Sequence, residues 1–240
     1  VGCAKPLVSP KLKIVHFTTG DEIIPPGQKP KPGQIRDSNS ILIRALLENF
    51  PCELTQHHLP EDFELAKRQI SAFRIPHSAF DLILVSGGAS VGDKDFTRPL
   101  LEWLEFEIVF NRVAIRPGAP LIFGVNGTRV AFGLPGNPLS HFVCFHLFVA
   151  AALKKMAGDE PRKLLRGNLV AKLDDAPNSR ETLWPARCEI ASGGWKLSPL
   201  RWSSSGDATC LAETNVLIRV PVSRGSINAG EKVEFFRTHF

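Results

Sequence analysis

Up to about residue 157, two apolar patterns alternate along the chain. Short apolar runs of strand length are followed by segments in which apolar residues recur at helical spacing, as from Ile41 to Phe50. The predicted strands cover 13–17, 52–59, 82–85, 107–115, 121–125 and 129–134, and the predicted helices cover 41–50, 60–74, 97–104 and 138–156. Strands that alternate with helices predict an α/β domain with a mostly parallel sheet.

After Gly158 the helical spacing stops, and only short strand-like runs remain between Gly, Ser, Asn and Pro residues. These runs cover 164–173, 184–190, 195–200, 216–222 and 232–237. They predict a small all-β module, either a sandwich or a partly open barrel. We therefore predict two domains, a three-layer α/β domain at 1–157 and an all-β domain at 158–240.

Two helix starts have clear polar signals. Asp62 follows Pro60 and Glu61, so its position alone predicts a first-turn residue whose negative charge interacts favourably with the helix dipole. Asn137 stands before Pro138 and suits the residue preceding a helix. The helix after it is apolar almost all round and is expected to be buried, and its apolar run at 142–153 is too short to cross a bilayer.

Composition narrows the function classes. The net charge of +5 is spread along the chain and does not by itself indicate nucleic-acid binding. Five widely spaced cysteines without a CxxC pair argue against a disulfide framework or a zinc site, and fit a reducing cytoplasm. The chain has no signal-peptide pattern, and its first residue is Val rather than Met, which suggests either a piece of a longer chain or a processed one.

The glycine-rich segment at 86–95 is the first candidate for chemistry. Gly87 and Gly88 follow a buried strand, and Asp93 and Asp95 come a few residues later. Paired glycines permit positive φ and close approach of a ligand, and ligands of open α/β sheets bind at the carboxyl ends of strands. The segment is therefore either an anion-binding turn with carboxylates for a hard metal or a tight turn with solvated acids.

Three further loops follow predicted strands, at 19–22, 112–117 and 135–138, and all four could converge on one sheet edge. Their carboxylates, glycine amides, helix start and arginines suit a phosphate-bearing ligand with a divalent cation. Arg112 and Arg116 are four apart, so in a strand they would share a face and clamp an oxyanion; the alternative is two solvated arginines on an edge strand. Glu22 alone is more often a solvated loop acid. Each histidine is interpreted as structural or solvated, with His141 and His146 on different faces of their helix.

Five motifs in this order resemble the molybdopterin molybdenumtransferase family, MoeA and the gephyrin E domain, from about residue 2 to 240. They are Thr19-Gly20-Asp21-Glu22, Gly33-Gln34-Ile35 with Asp37-Ser38-Asn39, Ser86 to Gly92 with Asp95, Arg116 to Pro120, and Gly133 to Pro138 with Ser140. The resemblance implies a MogA-like α/β domain followed by a small β-barrel. It also implies insertion of molybdate into adenylylated molybdopterin, with release of AMP and with help from a divalent cation such as Mg²⁺.

The resemblance also implies roles for single residues. Glu22 and Asp95 would be metal or adenylate-side carboxylates, and Asp62 a third catalytic carboxylate. Cofactor-binding positions would be the amides of Gly87 and Gly88 around the pterin phosphate with Ser90 in the same loop, the oxyanion-holding Arg112 and Arg116, and the loop residues Pro135, Gly136, Asn137 and Pro138.

Some features depart from the family pattern. The family usually has lysines where Arg112, Arg116 and Ala119 stand, and Tyr where Phe96 stands. The family also has two further domains before this segment, through which it dimerises and completes its active sites. A MogA-type adenylyltransferase would supply the ligand. The alternative to the enzyme is a molybdopterin-binding module or scaffold without turnover.

Overall fold

The computed structural model of the protein describes residues 2–73, 80–87, 96–160 and 163–238. In the α/β half, the strands are β1 (Leu12–Thr19), β2 (Ile23–Ile24), β3 (Ile35–Arg36), β4 (Cys52–Leu59), β5 (Leu82–Ser86), β6 (Glu107–Phe110), β7 (Ile115–Arg116), β8 (Ile122–Asn126) and β9 (Arg129–Leu134). The helices are α1 (Asn39–Leu47), α2 (Phe63–Ala72), α3 (Thr97–Trp103) and α4 (Pro138–Met156). The remaining strands are β10 (Leu165–Leu169), β11 (Glu181–Ala191), β12 (Gly194–Pro199), β13 (Val216–Val220) and β14 (Lys232–Arg237).

The first sheet has the strand order β4-β1-β5-β9-β8-β6. Strands β4, β1, β5 and β9 are parallel, and β8 and β6 extend the sheet in antiparallel fashion. Strand β5 is buried along its whole length. A central parallel strand covered on both faces must be apolar throughout, which explains the uninterrupted apolar run that predicted it.

Helices cover both faces of this sheet, as the predicted three-layer fold requires. Leu82 and Leu84 of β5 pack in one core with α1 and α4. Ile83 and Val85 point to the opposite face and pack in a second core with α2 and α3. The predicted fold class is confirmed.

The predicted strand at 107–115 is wrong, because it is two strands in two different sheets. Strand β6 ends at Phe110, and β7 pairs with β11 of the second sheet through Ile115 and Arg116. Between them the chain turns, with the Val113 amide donating to the carbonyl of Ala119 at 3.0 Å. Arg112 lies in this turn and is exposed.

The second sheet forms a small barrel. Its strand order is β12-β10-β14-β13-β11-β7, and β12 also pairs with β11, which closes the ring of β10 to β14. The barrel core includes Leu197, Ile218 and Phe235, each fully buried. The predicted β-barrel is thus confirmed, whereas the boundary between 157 and 158 stays a prediction.

Helix α4 is the long helix expected after Pro138, with a π-helical segment at Phe145–Val149. Its 19 residues and mean hydropathy of 1.3 match a membrane span in length and composition, unlike the shorter run considered from the sequence. However, 61% of the most apolar stretch of this helix is buried inside the protein. The apolar character of α4 is explained by its place in the core against β5 and α1.

Candidate functional site

A cavity of about 950 Å³ opens between the carboxyl edge of the first sheet and the β-barrel. Thr18 of β1, Ser86 of β5 and Leu134 of β9 are aligned in the sheet register, so the three strands end side by side at this edge. The loops that follow them line the cavity through Thr19, Ser86, Gly87 and the segment 135–138. The cavity therefore lies where ligands of open α/β sheets bind.

The predicted convergence holds for the loops at 19–22 and 135–138, for the described start of the loop at 86–95, and for the Arg116 end of the loop at 112–117. Glu22, Gly87 and Arg116 all line the cavity. Arg112 is not among the described lining residues. The expected clamp of two arginines on one strand face is therefore wrong, because β6 ends before Arg112 and Arg116 belongs to another sheet.

Arg116 is only partly available to a ligand. Its guanidinium makes an ion pair with both carboxylate oxygens of Asp175 and lies 5.6 Å from the ring of Trp202. The Asp175 side chain is 7% exposed and that of Arg116 is 23% exposed. The partner Asp175 comes from the barrel half, which no motif of the sequence indicated.

The barrel also contributes directly to the cavity wall through Arg180, Trp202 and Ser205. Sequence reasoning missed these residues because they belong to no recognisable motif and reach the cavity only through the packing of the two halves. Together with Arg36 and Arg116, Arg180 gives the wall three cationic side chains. Such a wall can bind phosphate or another oxyanion.

Gly87 is required by its backbone and by its neighbours. Its φ is +99°, and a Cβ there would lie 2.7 Å from the carbonyl oxygen of Thr19. The amide of Gly87, predicted to face a phosphate, instead donates to the carbonyl of Leu134 at 3.3 Å. Gly88, Ser90 and Asp95 lie outside the described residues, so their predicted roles stay predictions.

The loop at 135–138 is held from both sides. The Asn39 side chain donates to the carbonyl of Gly136 at 2.8 Å. Asn137 precedes helix α4 as predicted, yet its side chain does not cap the helix and donates instead to Ser205 Oγ at 2.8 Å. The carbonyl of Ser205 accepts from the amide of Leu139 at 3.0 Å, so the barrel supplies the cap.

The two predicted carboxylates in the described residues have different surroundings. Glu22 is exposed and lines the cavity. Asp62 is the residue before α2, and its Oδ1 accepts from the amide of Leu65 at 2.8 Å. Its neighbour Glu61 lines the cavity, whereas Asp62 is absent from the described lining. The structure gives Asp62 a capping role, and its catalytic role stays a prediction.

The change Asp62→Ala is expected to lower the free energy of unfolding by about 1 kcal/mol, because the amide of Leu65 loses its side-chain acceptor. Urea denaturation measures this loss. The matched control Glu61→Ala, one residue earlier and outside the cap, should change stability by less than about 0.5 kcal/mol. Equal effects of the two changes would contradict the capping role.

Below the cavity lies a buried polar network that the sequence did not reveal. Ser86 Oγ lies 2.7 Å from Nε2 of His16 and 2.8 Å from Nε2 of His141. Both imidazoles are fully buried, and burial lowers the pKa of each from 6.5 to about 3. The three residues are far apart in sequence, and only the alignment of β1, β5 and α4 brings them together.

The described residues provide few ligands for Mg²⁺. They contain no group of three His, Cys, Asp or Glu side chains arranged to hold a metal. Mg²⁺ in phosphate-binding sites commonly uses one or two carboxylates together with ligand oxygens and water. Glu22 at the cavity wall fits such a site only together with oxygens of the ligand.

Comparison with known proteins identifies the family to which this chain is similar. A family model described as a probable molybdopterin binding domain matches residues 16–155, and one described as the MoeA C-terminal region (domain IV) matches residues 164–237. In structure, a molybdopterin biosynthesis MoeA protein from Pyrococcus horikoshii superposes with a TM-score of 0.77 at 29% identity. That match covers 96% of this chain and 55% of the other.

Curated relatives agree with these matches. The molybdopterin molybdenumtransferase of Staphylococcus epidermidis is 28% identical over 239 residues, which are 99% of this chain and 56% of the relative. The molybdenum cofactor synthesis protein cinnamon of Drosophila melanogaster is 35% identical, and the match covers 94% of this chain and 38% of the relative. The chain thus spans about half the length or less of these relatives. Because one family model matches more than half of the chain and the other covers the barrel, the chain belongs to the molybdopterin molybdenumtransferase family and matches its C-terminal part.

Proposed function

We propose that this chain binds adenylylated molybdopterin in the cavity and serves molybdenum cofactor biosynthesis, in which molybdate is inserted into the dithiolene and AMP is released. The proposal rests on the family and on the position of the cavity. A volume of about 950 Å³ is at the upper end of the usual range for ligand pockets and suits a ligand with both a pterin and a nucleotide part.

One observation carries the proposal. Among the described residues, four buried polar atoms without a hydrogen-bond partner belong to residues that line the cavity, whereas His57 Nε2, His141 Nδ1 and Thr238 Oγ1 lie outside its lining. The four are Thr19 Oγ1, Asn39 Oδ1, Arg116 Nε and Trp202 Nε1. Since buried polar groups in native proteins are nearly always paired, these four atoms support a polar ligand as the missing partner.

Some cavity residues would bind the ligand directly, and others would hold the surrounding loop in position. Arg116 and Arg180 would hold phosphate or molybdate oxygens by charge-assisted hydrogen bonds. The loop at 135–138, fixed by Asn39 and Ser205, would keep its shape around the ligand. Glu22, with Asp95, would hold Mg²⁺, which when bound neutralises phosphate charge.

The change Arg180→Ala is expected to raise the dissociation constants of AMP and of molybdate by at least about tenfold, because a hydrogen bond to a charged group contributes roughly 1.5–3 kcal/mol. Isothermal titration calorimetry measures both constants. Arg187→Ala is the matched control, since Arg187 is an exposed barrel residue paired with Glu189 and outside the described lining of the cavity. Unchanged binding by the Arg180 variant would contradict the proposed site.

Turnover is separated from binding by incubating the chain with adenylylated molybdopterin, molybdate and Mg²⁺. Release of AMP supports the transferase. Binding without release supports the alternative of a binding module. Failure to bind would leave only a scaffold.

Partners and location follow from the same proposal. A MogA-type adenylyltransferase would supply the ligand, and a full-length protein with the family's other domains would be a homodimer. The cysteines of the described residues are all free, which supports a reducing cytoplasm.

A further inference from the structure

We propose that Ser86 is a ligand-contacting hydrogen-bond donor, whose hydroxyl hydrogen is directed into the cavity by the two buried histidines and meets an oxygen acceptor of the ligand. The inference deepens the proposed function, because it assigns a contact within the same cavity. It depends on which nitrogen of each imidazole carries the hydrogen, and the surrounding contacts decide this.

The tautomer of His16 follows from Gln56. The Oε1 of Gln56 accepts from the Arg44 guanidinium at 2.9 Å, which fixes the orientation of the amide. The Nε2 of Gln56 then donates to the carbonyl of Ser40 at 2.9 Å and to Nδ1 of His16 at 3.0 Å. Because His16 Nδ1 accepts a hydrogen bond, the ring hydrogen is on Nε2 and is donated to Ser86 Oγ.

The tautomer of His141 follows from the lack of a partner on its other nitrogen. His141 Nδ1 is buried and has no hydrogen-bond partner within the described part of the chain. A hydrogen there would leave a buried N–H without an acceptor, which is rarer and costlier than an unused acceptor. The hydrogen is therefore on Nε2, and His141 also donates to Ser86 Oγ at 2.8 Å.

Two donated hydrogen bonds occupy both lone pairs of the Ser86 hydroxyl, so its own hydrogen must point elsewhere. Ser86 is 2% exposed and is one of the residues that line the cavity, so the cavity is where an acceptor for this hydrogen would come from. Burial keeps both imidazoles uncharged at neutral pH, against a small opposing influence of Asp37 on His141. The arrangement is therefore a fixed donor, in contrast to a freely rotating hydroxyl.

A second hydroxyl lies beside the first. Thr19 is 5% exposed, lines the cavity, and its Oγ1 has no partner among the described residues. A Cβ at Gly87, the residue after Ser86, would lie 2.8 Å from Thr19 Oγ1, so only glycine fits beside this hydroxyl. Because neither hydroxyl is charged, this subsite suits an oxygen acceptor such as a phosphate oxygen or the carbonyl of a pterin ring.

The first test is nitrogen NMR of the histidines in the whole chain, without any substitution. At pH 7 we expect His16 and His141 both to be uncharged with hydrogen on Nε2. Addition of whichever of AMP and neopterin meets Ser86 should shift both N–H resonances, because Ser86 becomes a stronger acceptor once its own hydrogen is engaged. A hydrogen on Nδ1 of His141 would overturn the inference, since Ser86 would then donate to His141 and not to the ligand.

The second test is calorimetry with two probes, AMP and neopterin, which separates a phosphate source of the acceptor from a pterin source. Ser86→Ala should weaken the binding of the probe that contacts Ser86 by roughly tenfold. The control Ser71→Ala removes an exposed hydroxyl on α2 and should leave the affinities for both probes unchanged. Equal affinities of wild type and a folded Ser86→Ala variant would overturn the inference. If the wild type binds neither probe, the proposed function is contradicted, and so is the contact between Ser86 and a ligand. The orientation of the Ser86 hydroxyl is decided separately, by the tautomers measured in the first test.

Discussion

Lowering the pH from 7 to 5 is expected to reduce the free energy of unfolding by about 4 kcal/mol through His16 and His141. Burial lowers the pKa of both to about 3 in the folded protein, against 6.5 when they are exposed. Below pH 6.5 the unfolded chain therefore binds two protons that the folded chain does not. Each such proton removes about 1.4 kcal/mol of stability per pH unit, so stability falls as the pH falls.

Denaturant titrations at a series of pH values measure this slope. His16→Gln and His141→Gln should each remove about half of it, since each variant keeps one buried imidazole. His58→Gln is the matched control, because His58 is an exposed residue of β4 next to the half-buried His57. Stability that stays level between pH 6.5 and 5 would contradict the uncharged, buried state of the pair.

The change Arg116→Ala is expected to cost about 3–5 kcal/mol of stability and also to weaken anion binding. It would leave the Asp175 carboxylate almost completely buried without its cation. A buried charge that loses its partner is among the most destabilising single changes. The loss is measured by urea denaturation at pH 7.

A double-mutant cycle isolates the ion pair from the rest of the arginine. The double variant Arg116→Ala with Asp175→Asn should recover much of the lost stability, because no uncompensated charge remains. Asp175→Asn alone should leave Arg116 free to bind a ligand oxyanion more tightly. A loss below about 1 kcal/mol for Arg116→Ala would mean that the pair is solvated in spite of its burial.

Most of the fold could be predicted because the apolar pattern follows directly from burial. Strand β5 reads as an uninterrupted apolar run because it has helices on both faces. The two predicted strands at 121–125 and 129–134 are confirmed as β8 and β9, which pair antiparallel across Asn126-Gly127, a sequence typical of hairpin turns. One exception is the stretch 107–115, where one apolar pattern serves two sheets and periodicity cannot show that the chain changes from one sheet to the other.

The site was less predictable, because much of it is made by contacts between distant segments. Glu22 and the loop at 135–138 follow strands and carry motifs, so their sequence indicated them. Arg180 and Trp202 reach the cavity only because the barrel packs on the first sheet. The network of His16 and His141 escaped notice because each histidine looks structural until β1 and α4 are placed on either side of Ser86.

Strand β7 has a consequence for how the two halves can evolve. It belongs by sequence to the α/β half and by hydrogen bonding to the barrel, while Ser205 of the barrel caps helix α4 in return. Each half therefore holds a piece of the other, and neither could be exchanged for an unrelated domain without leaving an unpaired strand or an uncapped helix at the mouth of the cavity. The cavity is therefore a property of the contact between the two halves, rather than of either half alone.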